Sequence, residues 1–463
     1  MSIKQKAVSG MKWVSLSMMV VTFLQFLKIT IVGRILGPGV FGLLGMVTVV
    51  IGLANALGDM GISNAIIHRQ DSTRRQLSSL YWLNIFSGIA VFIIVVIITP
   101  LIVDFYEEPA IRLPLYFLSL SFIILPFGLQ FKMLLQKNLQ FDKIAGSEIC
   151  NAVISLVVSV ILALRNLGVY SLVWGQLAGI MVGTLLYMAY GWRAYRPEFH
   201  FQTQDLKGYL SFGLYQMGER MTNYFSANLD YIIIGKFLGA VPLGIYTLAY
   251  QLVVVPLVKI NPVITNVMFP VFSKMQHDNK RLASGYLKVV SLIAMISFPL
   301  LTGLAVVSPI IIPLFWGDKW LGAIPLIQIL CVMGILKSLG NCIGSVLLAK
   351  GRADIGFKIN VVSVMLYLCA FFYMVRLGVI YIAIAHVIIP ILLLPVFLLI
   401  LNRQIGLKAS EFFSVLARPF AGSIIMTLSM HAVYGPLSVA TSKKPVVLGL
   451  IILLGSAVFI GYN

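Results

Sequence analysis

Polar and charged side chains interrupt several long apolar runs of this chain, and their spacing places them on shared helical faces. Between residues 208 and 234, four of them follow in steps of four, three and four: Glu219, Asn223, Ser226 and Asp230. With 3.6 residues per turn, these steps align the side chains on one face of a helix. A polar stripe three turns long is costly against lipid. We therefore expect it to line a water-filled cavity or to hydrogen-bond to neighbouring helices.

A second stripe has the same steps and ends on a carboxylate: Thr48, Gly52, Asn55 and Asp59. Glycines 58 and 61 flank that carboxylate and favour a loosened helix. We expect Asp59, Glu219 and Asp230 either to pair with neighbouring bases or to carry a coupling cation such as H⁺ or Na⁺. Structural ion pairs perturb such groups as functional sites do, so both interpretations stay open.

Four basic residues accompany the stripes inside apolar segments: Lys28, Arg220, Lys259 and Lys337. Lysine and arginine at this depth can hold phosphate oxygens by charge-assisted hydrogen bonds. They can also extend towards the membrane surface or neutralise a buried acid. Together with the acids, these bases predict a polar, partly cationic chamber. Such a chamber suits an amphiphile with an anionic head, whose acyl tail would remain in lipid.

The composition indicates the elements that position these residues. Of the 463 residues, 60% are hydrophobic and 11% are charged, whereas roughly a quarter of a soluble domain is charged. Apolar runs of about 20 residues recur, each long enough to cross a bilayer. They predict an all-α polytopic membrane protein; a β-barrel would show alternating strands. We expect about fourteen transmembrane helices, near residues 12–32, 40–66, 77–102, 113–135, 146–165, 168–191, 208–234, 243–270, 285–307, 322–348, 355–375, 378–400, 412–434 and 445–462.

The distribution of basic residues predicts the orientation. The net charge of +19 would suggest nucleic acid in a soluble protein. With the N-terminus in the cytoplasm, 19 lysines and arginines fall in inside segments and 8 in outside loops, as the positive-inside rule requires. Topology therefore accounts for most of the charge, and no nucleic-acid partner is expected. Fourteen helices place the C-terminus inside too, and a continuation beyond residue 463 stays open.

A ten-residue motif occurs twice in the chain, 202 residues apart. Residues 33–42 read GRILGPGVFG, and residues 235–244 read GKFLGAVPLG. Six predicted helices separate the copies, so two equivalent modules should share one orientation and be related by a pseudo-two-fold axis along the membrane normal. We predict an N-lobe at 1–200 (helices 1–6), a C-lobe at 201–405 (helices 7–12), and helices 13–14 at 406–463. Arg34 and Lys236 would be matched outer-face residues.

Motifs for enzymatic chemistry are missing from the sequence. It contains neither the ATP-binding pattern GxxxxGK[ST] nor the zinc-protease pattern HExxH. The five histidines are scattered, and the four cysteines show no metal or disulfide spacing. Asp104, Glu107 and Glu108 form a charge run that we interpret as solvated. We therefore expect a non-enzymatic protein with no metal and no cofactor.

The repeat motif also carries a family resemblance. Residues 33–42 (GRILGPGVFG), then 58–67 (GDMGISNAII), resemble the polysaccharide-transporter branch of the multidrug/oligosaccharidyl-lipid/polysaccharide flippase superfamily, and residues 139–143 (LQFDK) are also similar. Gly58 departs from the alanine expected before Asp59. The resemblance implies two six-helix lobes with alternating access, and a basic cavity formed by helices 1, 2, 7 and 8.

The substrate is likewise implied by the resemblance. It would be an oligosaccharide unit on an undecaprenyl-diphosphate carrier, exported across a bacterial inner membrane for surface polysaccharide such as lipopolysaccharide. Membrane lipids would surround the protein, and polysaccharide polymerase and assembly proteins are possible partners. Two rivals stay open: a cation-coupled multidrug antiporter, which favours an acid-dominated cavity, and a membrane polysaccharide polymerase, which should have a long external loop.

Overall fold

Helices account for nearly all of the chain that the structure covers. A computed structural model describes residues 3–58, 73–192, 195–206, 210–440 and 444–462, and within these ranges there is no β-strand. The α-helices are α1 (Ile3–Ile35), α2 (Pro38–Gly58), α3 (Arg74–Tyr106), α4 (Arg112–Ser119), α5 (Ser121–Lys137), α6 (Phe141–Leu164), α7 (Val169–Gly191), α8 (Leu210–Ala227), α9 (Leu229–Leu238), α10 (Ala240–Lys274), α11 (Asn279–Phe315), α12 (Ala323–Ala349), α13 (Ala353–Met374), α14 (Val379–Ile405), α15 (Ala409–Ala440) and α16 (Lys444–Tyr462). Short 3₁₀ helices lie at Pro109–Ile111, Thr203–Leu206, Asp318–Trp320 and Val375–Leu377.

Eleven helical segments within the described residues are long and apolar enough to cross a membrane: Ser9–Ile35, Pro38–Leu57, Arg74–Tyr106, Pro109–Lys137, Phe141–Leu164, Val169–Gly191, Asn279–Phe315, Ala323–Ala349, Asp354–Leu377, Val379–Ile405 and Ala409–Val433. Ala240–Val255 and Val447–Tyr462 are shorter apolar helices. The all-α polytopic fold is therefore confirmed, while the count of fourteen spans stays a prediction.

Several helices extend beyond their predicted ends because polar caps stabilise extra turns. The predicted helix 77–102 is Arg74–Tyr106 in the structure. The Thr73 hydroxyl accepts from the Gln76 amide at 3.3 Å, and the Gln76 side chain accepts from the Thr73 amide at 3.1 Å. This reciprocal capping box satisfies two backbone donors that would otherwise lack partners.

The predicted helix 208–234 differs from the structure because it is interrupted at Asn228. This residue separates α8 from α9 and has φ −121° and ψ 16°, outside the helical region. Its side-chain amide donates to the Tyr224 carbonyl oxygen at 2.8 Å, which satisfies an acceptor at the end of α8. Asparagine competes for backbone groups in this way, so a helix break is favoured there. The break lies inside the polar stripe, next to Asp230.

The chain forms two compact units, Met1–Gly244 and Ile245–Asn463. In the first unit α6 packs on α1 and α7, α5 packs on α3 and α7, and α2 packs on α8 and α9. One core cluster joins α3 and α5 to the segment after α7 through Leu80, Tyr81, Phe131 and Tyr195. In the second unit α11 packs on α12, α15 and α16, and α14 packs on α12 and α13. The predicted lobe boundaries near residues 200 and 405 are not tested by this division and stay predictions.

Candidate functional site

Lys28, on α1, contacts α6 within the first unit. It is half-buried on α1, and its ammonium nitrogen lies 3.2 Å from the Ser155 hydroxyl oxygen on α6. A hydrogen bond to an uncharged hydroxyl partly replaces the water that a lysine loses in an apolar bundle. Lys28 is thus tied to its own bundle in this conformation, and an anionic ligand would have to compete with Ser155 for it.

Glycines on α7 make the interface between α6 and α7, here called the seam, narrow. Gly175, Gly179 and Gly183 recur every four residues and face Asn151, Ser155 and Ser159 of α6. A Cβ atom on Gly179 would lie 2.5 Å from Asn151 Oδ1 and 2.7 Å from the Asn151 carbonyl oxygen. Small residues at this spacing let helix backbones approach closely in membranes. The polar residues of α6 therefore contact Lys28 of α1 on one side and the backbone of the α7 glycines on the other.

The helices that carry the two predicted polar stripes, α2 and α8, contact each other through Tyr224. The Tyr224 hydroxyl on α8 donates to the Thr48 carbonyl oxygen on α2 at 3.2 Å. A Cβ atom on Gly52 would collide with that hydroxyl, so the glycine makes room for the contact. Arg220, one turn before Tyr224, is half-buried, while Asn223 is exposed. The stripe on α2 is thus at least partly a packing surface for α8.

Asp230 occupies the first turn of α9, directly after the helix break. Its side chain is buried (2% exposed), and one carboxylate oxygen accepts from the Tyr231 backbone amide at 2.9 Å. The positive end of a helix dipole stabilises a carboxylate at this position. A helix interrupted at membrane depth, with an ionisable group at the break, is the arrangement by which many transporters build ion or substrate sites. The charges at positions 28 and 230, which the repeat relates, have different partners here.

Lys337 differs from Lys28 because its side chain is exposed. It lies 14 residues after Ala323 and 12 before Ala349 on α12, which is about 21 and 18 Å from the helix ends. Its ammonium nitrogen is 3.4 Å from the Tyr250 hydroxyl oxygen and 5.9 Å from the centre of that ring. A lysine facing lipid at the centre of a span costs about 3 kcal/mol on insertion scales. The exposed position therefore favours a water-filled surface around Lys337.

The two copies of the repeat motif contact each other within the first unit. A Cβ atom on Gly42 would fall on the Ala240 carbonyl oxygen, and one on Gly244 would fall on the Pro38 carbonyl oxygen. Ala240 follows Pro38 by 202 residues, as Gly244 follows Gly42, so the two contacts are equivalent. Reciprocal contacts of this kind are the mark of two-fold symmetry. The motif copies thus form a locally symmetric pair of corners between α1 and α2 and between α9 and α10.

An ion pair accompanies the second corner. The Lys236 ammonium nitrogen lies 2.7 Å from Glu107 Oε1 and 5.5 Å from the centre of the Phe105 ring. The hydrogen bond from Lys236 lowers the pKa of the Glu107 carboxyl below its usual value. Glu107, assigned from the sequence to a solvated charge run, therefore has a specific partner. Arg34, at the other corner, is exposed.

Part of the segment that follows α7 is hydrogen-bonded to α3, a contact that the sequence did not predict. Residues 195–206, here called the strap, follow α7 and return along the start of α3. The Ser78 hydroxyl accepts from the Glu198 amide at 3.0 Å, and the Ser79 hydroxyl accepts from the Gln202 amide at 3.1 Å. Arg74 forms an ion pair with Glu198 at 3.2 Å. These bonds join residues more than 115 positions apart, so no local pattern reveals them.

An acid and a histidine complete the strap. Asp205 Oδ2 accepts from the Ser79 hydroxyl at 2.8 Å and lies 2.9 Å from His200 Nε2. The Tyr195 hydroxyl lies 3.0 Å from the Ser78 hydroxyl, and burial raises the pKa of Tyr195. These groups satisfy one another, which indicates a positioning role for this polar network.

The structure gives the positions of only some of the predicted site residues. Lys28, Arg220 and Asp230 lie in the first unit, and Lys337 lies in the second. Asp59 lies outside the described residues, as do the side chains of Glu219 and Lys259. The predicted residues did not include Tyr250, whose hydroxyl lies beside Lys337, or His386, whose ring neighbours that of Tyr250. The sequence offers one signal for this region, because His386 lies within an apolar span. It has no metal-ligand spacing, and it was therefore not predicted.

Comparisons with known proteins identify a family and several similar proteins. Residues 31–325 match the family described as polysaccharide biosynthesis protein. The chain is 39% identical to the lipopolysaccharide biosynthesis protein WzxC of Escherichia coli (strain K12), over 80% of this chain and 75% of that one. It is 36% identical to the teichuronic acid biosynthesis protein TuaB of Bacillus subtilis (strain 168), over 95% of this chain and 90% of that one.

A solved structure is similar in fold. The lipid II flippase MurJ in an inward closed conformation superposes with a TM-score of 0.75, covering 98% of both chains at 14% identity. At that identity the likeness concerns the fold alone. The sequence matches are closer and cover most of the chain, and they agree with the resemblance carried by the repeat motif. This multi-pass membrane protein belongs to the polysaccharide biosynthesis protein family.

Proposed function

We propose that this protein is a flippase that moves undecaprenyl-diphosphate-linked oligosaccharide units across the bacterial inner membrane by alternating access. The observation that carries the proposal is the exposed lysine at the centre of α12, with a tyrosine hydroxyl beside it. A cation at this depth, on a surface open to water, suits a diphosphate that must leave the headgroup layer. Family membership supports the link to polysaccharide synthesis.

The other bases predicted from the sequence remain part of the proposal. Arg220 and Lys259 would each bind the diphosphate or acidic sugars at some stage of transport. Lys28 could do so only after releasing Ser155. Asp59, Glu219 and Asp230 would pair with bases in the empty state or bind a coupling H⁺ or Na⁺. Moving a charged head across the membrane couples to the potential at about 2.3 kcal/mol per charge per 100 mV.

The protein would act as a transporter without chemical change to its substrate, in the inner membrane, with both termini in the cytoplasm. The names of the two similar proteins support this role, because they concern the biosynthesis of lipopolysaccharide and of teichuronic acid. Polysaccharide polymerase and assembly proteins would receive the exported unit.

Complementation of an exporter-null strain tests the proposal. The variants are Lys28→Ala, Arg220→Ala, Lys259→Ala and Lys337→Ala, each normalised for protein level in the membrane. We expect reduced surface polysaccharide, with lipid-linked precursor accumulating on the cytoplasmic side. Full export from all four variants would contradict the cationic surface. Precursor accumulating on the outer side would instead favour a polymerase.

A further inference from the structure

Four ring-bearing side chains form a connected cluster in the second unit, and one of them, Tyr250, contacts Lys337. The centre of the Tyr250 ring is 6.4 Å from that of His386, which lies 5.2 Å from Tyr367 and 4.9 Å from Phe371. They come from three helices, α10, α13 and α14, while Lys337 comes from α12. We call Tyr250, Lys337, Tyr367 and His386 the aromatic shelf.

The shelf differs from ordinary core packing in its exposure. Phe371 (2% exposed) and Tyr246 (0%), which lies 5.7 Å from Tyr250, are fully enclosed. Tyr250, Tyr367 and His386 remain partly accessible, and Lys337 is exposed. The enclosed rings thus fix the orientation of the accessible ones, as a preformed binding surface requires.

The chemistry of the shelf matches a sugar next to an anion. Tyrosine and histidine rings present flat apolar faces with hydroxyl or imidazole groups at the rim. A pyranose has the same combination, an apolar C–H face and a rim of hydroxyls. The Lys337 ammonium group beside Tyr250 supplies the partner for a phosphate oxygen.

We propose that the aromatic shelf binds the sugar directly attached to the diphosphate of the lipid-linked substrate. The sugar ring stacks on Tyr250 and Tyr367, His386 hydrogen-bonds to its hydroxyls, and Lys337 holds the diphosphate. The inference rests on the proposed function. It goes beyond it by assigning separate residues to the sugar and to the phosphate.

Binding of two lipids to the purified full chain in nanodiscs tests this assignment. One probe is undecaprenyl diphosphate, and the other is undecaprenyl diphosphate carrying one hexose. The wild type should bind the hexose-bearing lipid about tenfold more tightly, as expected from one or two added hydrogen bonds. His386→Phe and Tyr367→Phe each keep an aromatic ring but remove polar atoms. Each should reduce this preference and leave binding of the bare diphosphate unchanged.

Further variants separate the possible outcomes. Lys337→Met should weaken both lipids, and Tyr381→Phe, an exposed tyrosine elsewhere on α14, should change neither. Equal effects of His386→Phe and Tyr367→Phe on both lipids, or no effect on either, would overturn the assignment to the sugar. If the wild type bound neither lipid, the proposed function itself would fail. Thermal unfolding of each variant verifies that it is folded.

Discussion

Two intramembrane lysines, one in each unit, have different surroundings although both stand in apolar helices. Lys28 donates to Ser155 of α6, a residue that also faces glycines of α7, whereas Lys337 is exposed next to a tyrosine ring. The first lysine joins two helices, and the second leaves its charge accessible, which is why we propose that it binds a ligand. The comparison indicates that the role of an intramembrane charge depends on the side chains that neighbouring helices place around it.

The largest effect should come from filling the seam. In Gly179→Leu the new side chain would meet the Asn151 carbonyl oxygen, which cannot move without displacing α6. Overpacking of this kind costs about 1–3 kcal/mol or more, so we expect little folded protein in the membrane. The measurement is the amount of monodisperse protein after detergent extraction. Gly146→Leu on α6 is the control, because a Cβ atom there meets nothing within 4 Å; equal losses would contradict a tight seam.

The two lysines themselves provide the next test. Lys337→Met should lower the initial rate of lipid translocation in proteoliposomes by about tenfold or more, since it removes a charge-assisted contact. Lys28→Met should lower it less, because that charge is engaged with Ser155 in this conformation. A rate that fell further in Lys28→Met than in Lys337→Met would reverse the roles assigned to the two sites.

A smaller effect is expected at the paired corners of the first unit. Gly42→Ala places a methyl group against the Ala240 carbonyl oxygen and should lower thermal stability, by about 1–3 kcal/mol in free energy. Gly39→Ala is matched to it, because its Cβ atom would make only an ordinary 3.5 Å contact with Val241. Unfolding followed by tryptophan fluorescence compares the two. Identical curves would show that the corners are loosely packed, unlike the seam.

The smallest effect concerns the Lys236–Glu107 pair. Because Lys236 lowers the pKa of Glu107 in the folded protein, the pair stabilises the fold above the unfolded pKa of glutamate. This contribution is lost as pH falls through the lowered folded value. Glu107 is 79% exposed at its side chain, so the effect should be slight. The melting temperatures of wild type and Glu107→Gln should differ at neutral pH and converge in acid; a difference that grew in acid would exclude this pair as its source.

The sequence predicted those features that depend on local pattern. Run length predicted the apolar spans, and the 202-residue repeat predicted two equivalent corners, which the contacts of Gly42 and Gly244 bear out. The break at Asn228 was missed because asparagine inside a polar stripe fits a continuous helix equally well. The contrast between Lys28 and Lys337 was beyond reach, because Ser155 and Tyr250 lie 127 and 87 residues away in sequence. The same holds for His386, whose ring neighbours come from two other helices.

The strap sets a mechanical limit on the chain between α7 and α8. Eighteen residues, 192–209, separate these helices. An unattached chain of that length would allow α8 a wide range of distances from α7. Glu198 and Gln202 are hydrogen-bonded to α3, however, and Leu206 is buried, and Leu210, the first residue of α8, follows Leu206 by only four positions. Four extended residues span about 14 Å at most. The strap therefore limits how far the start of α8 can move from α3. Residues inserted after Leu206 would increase this distance.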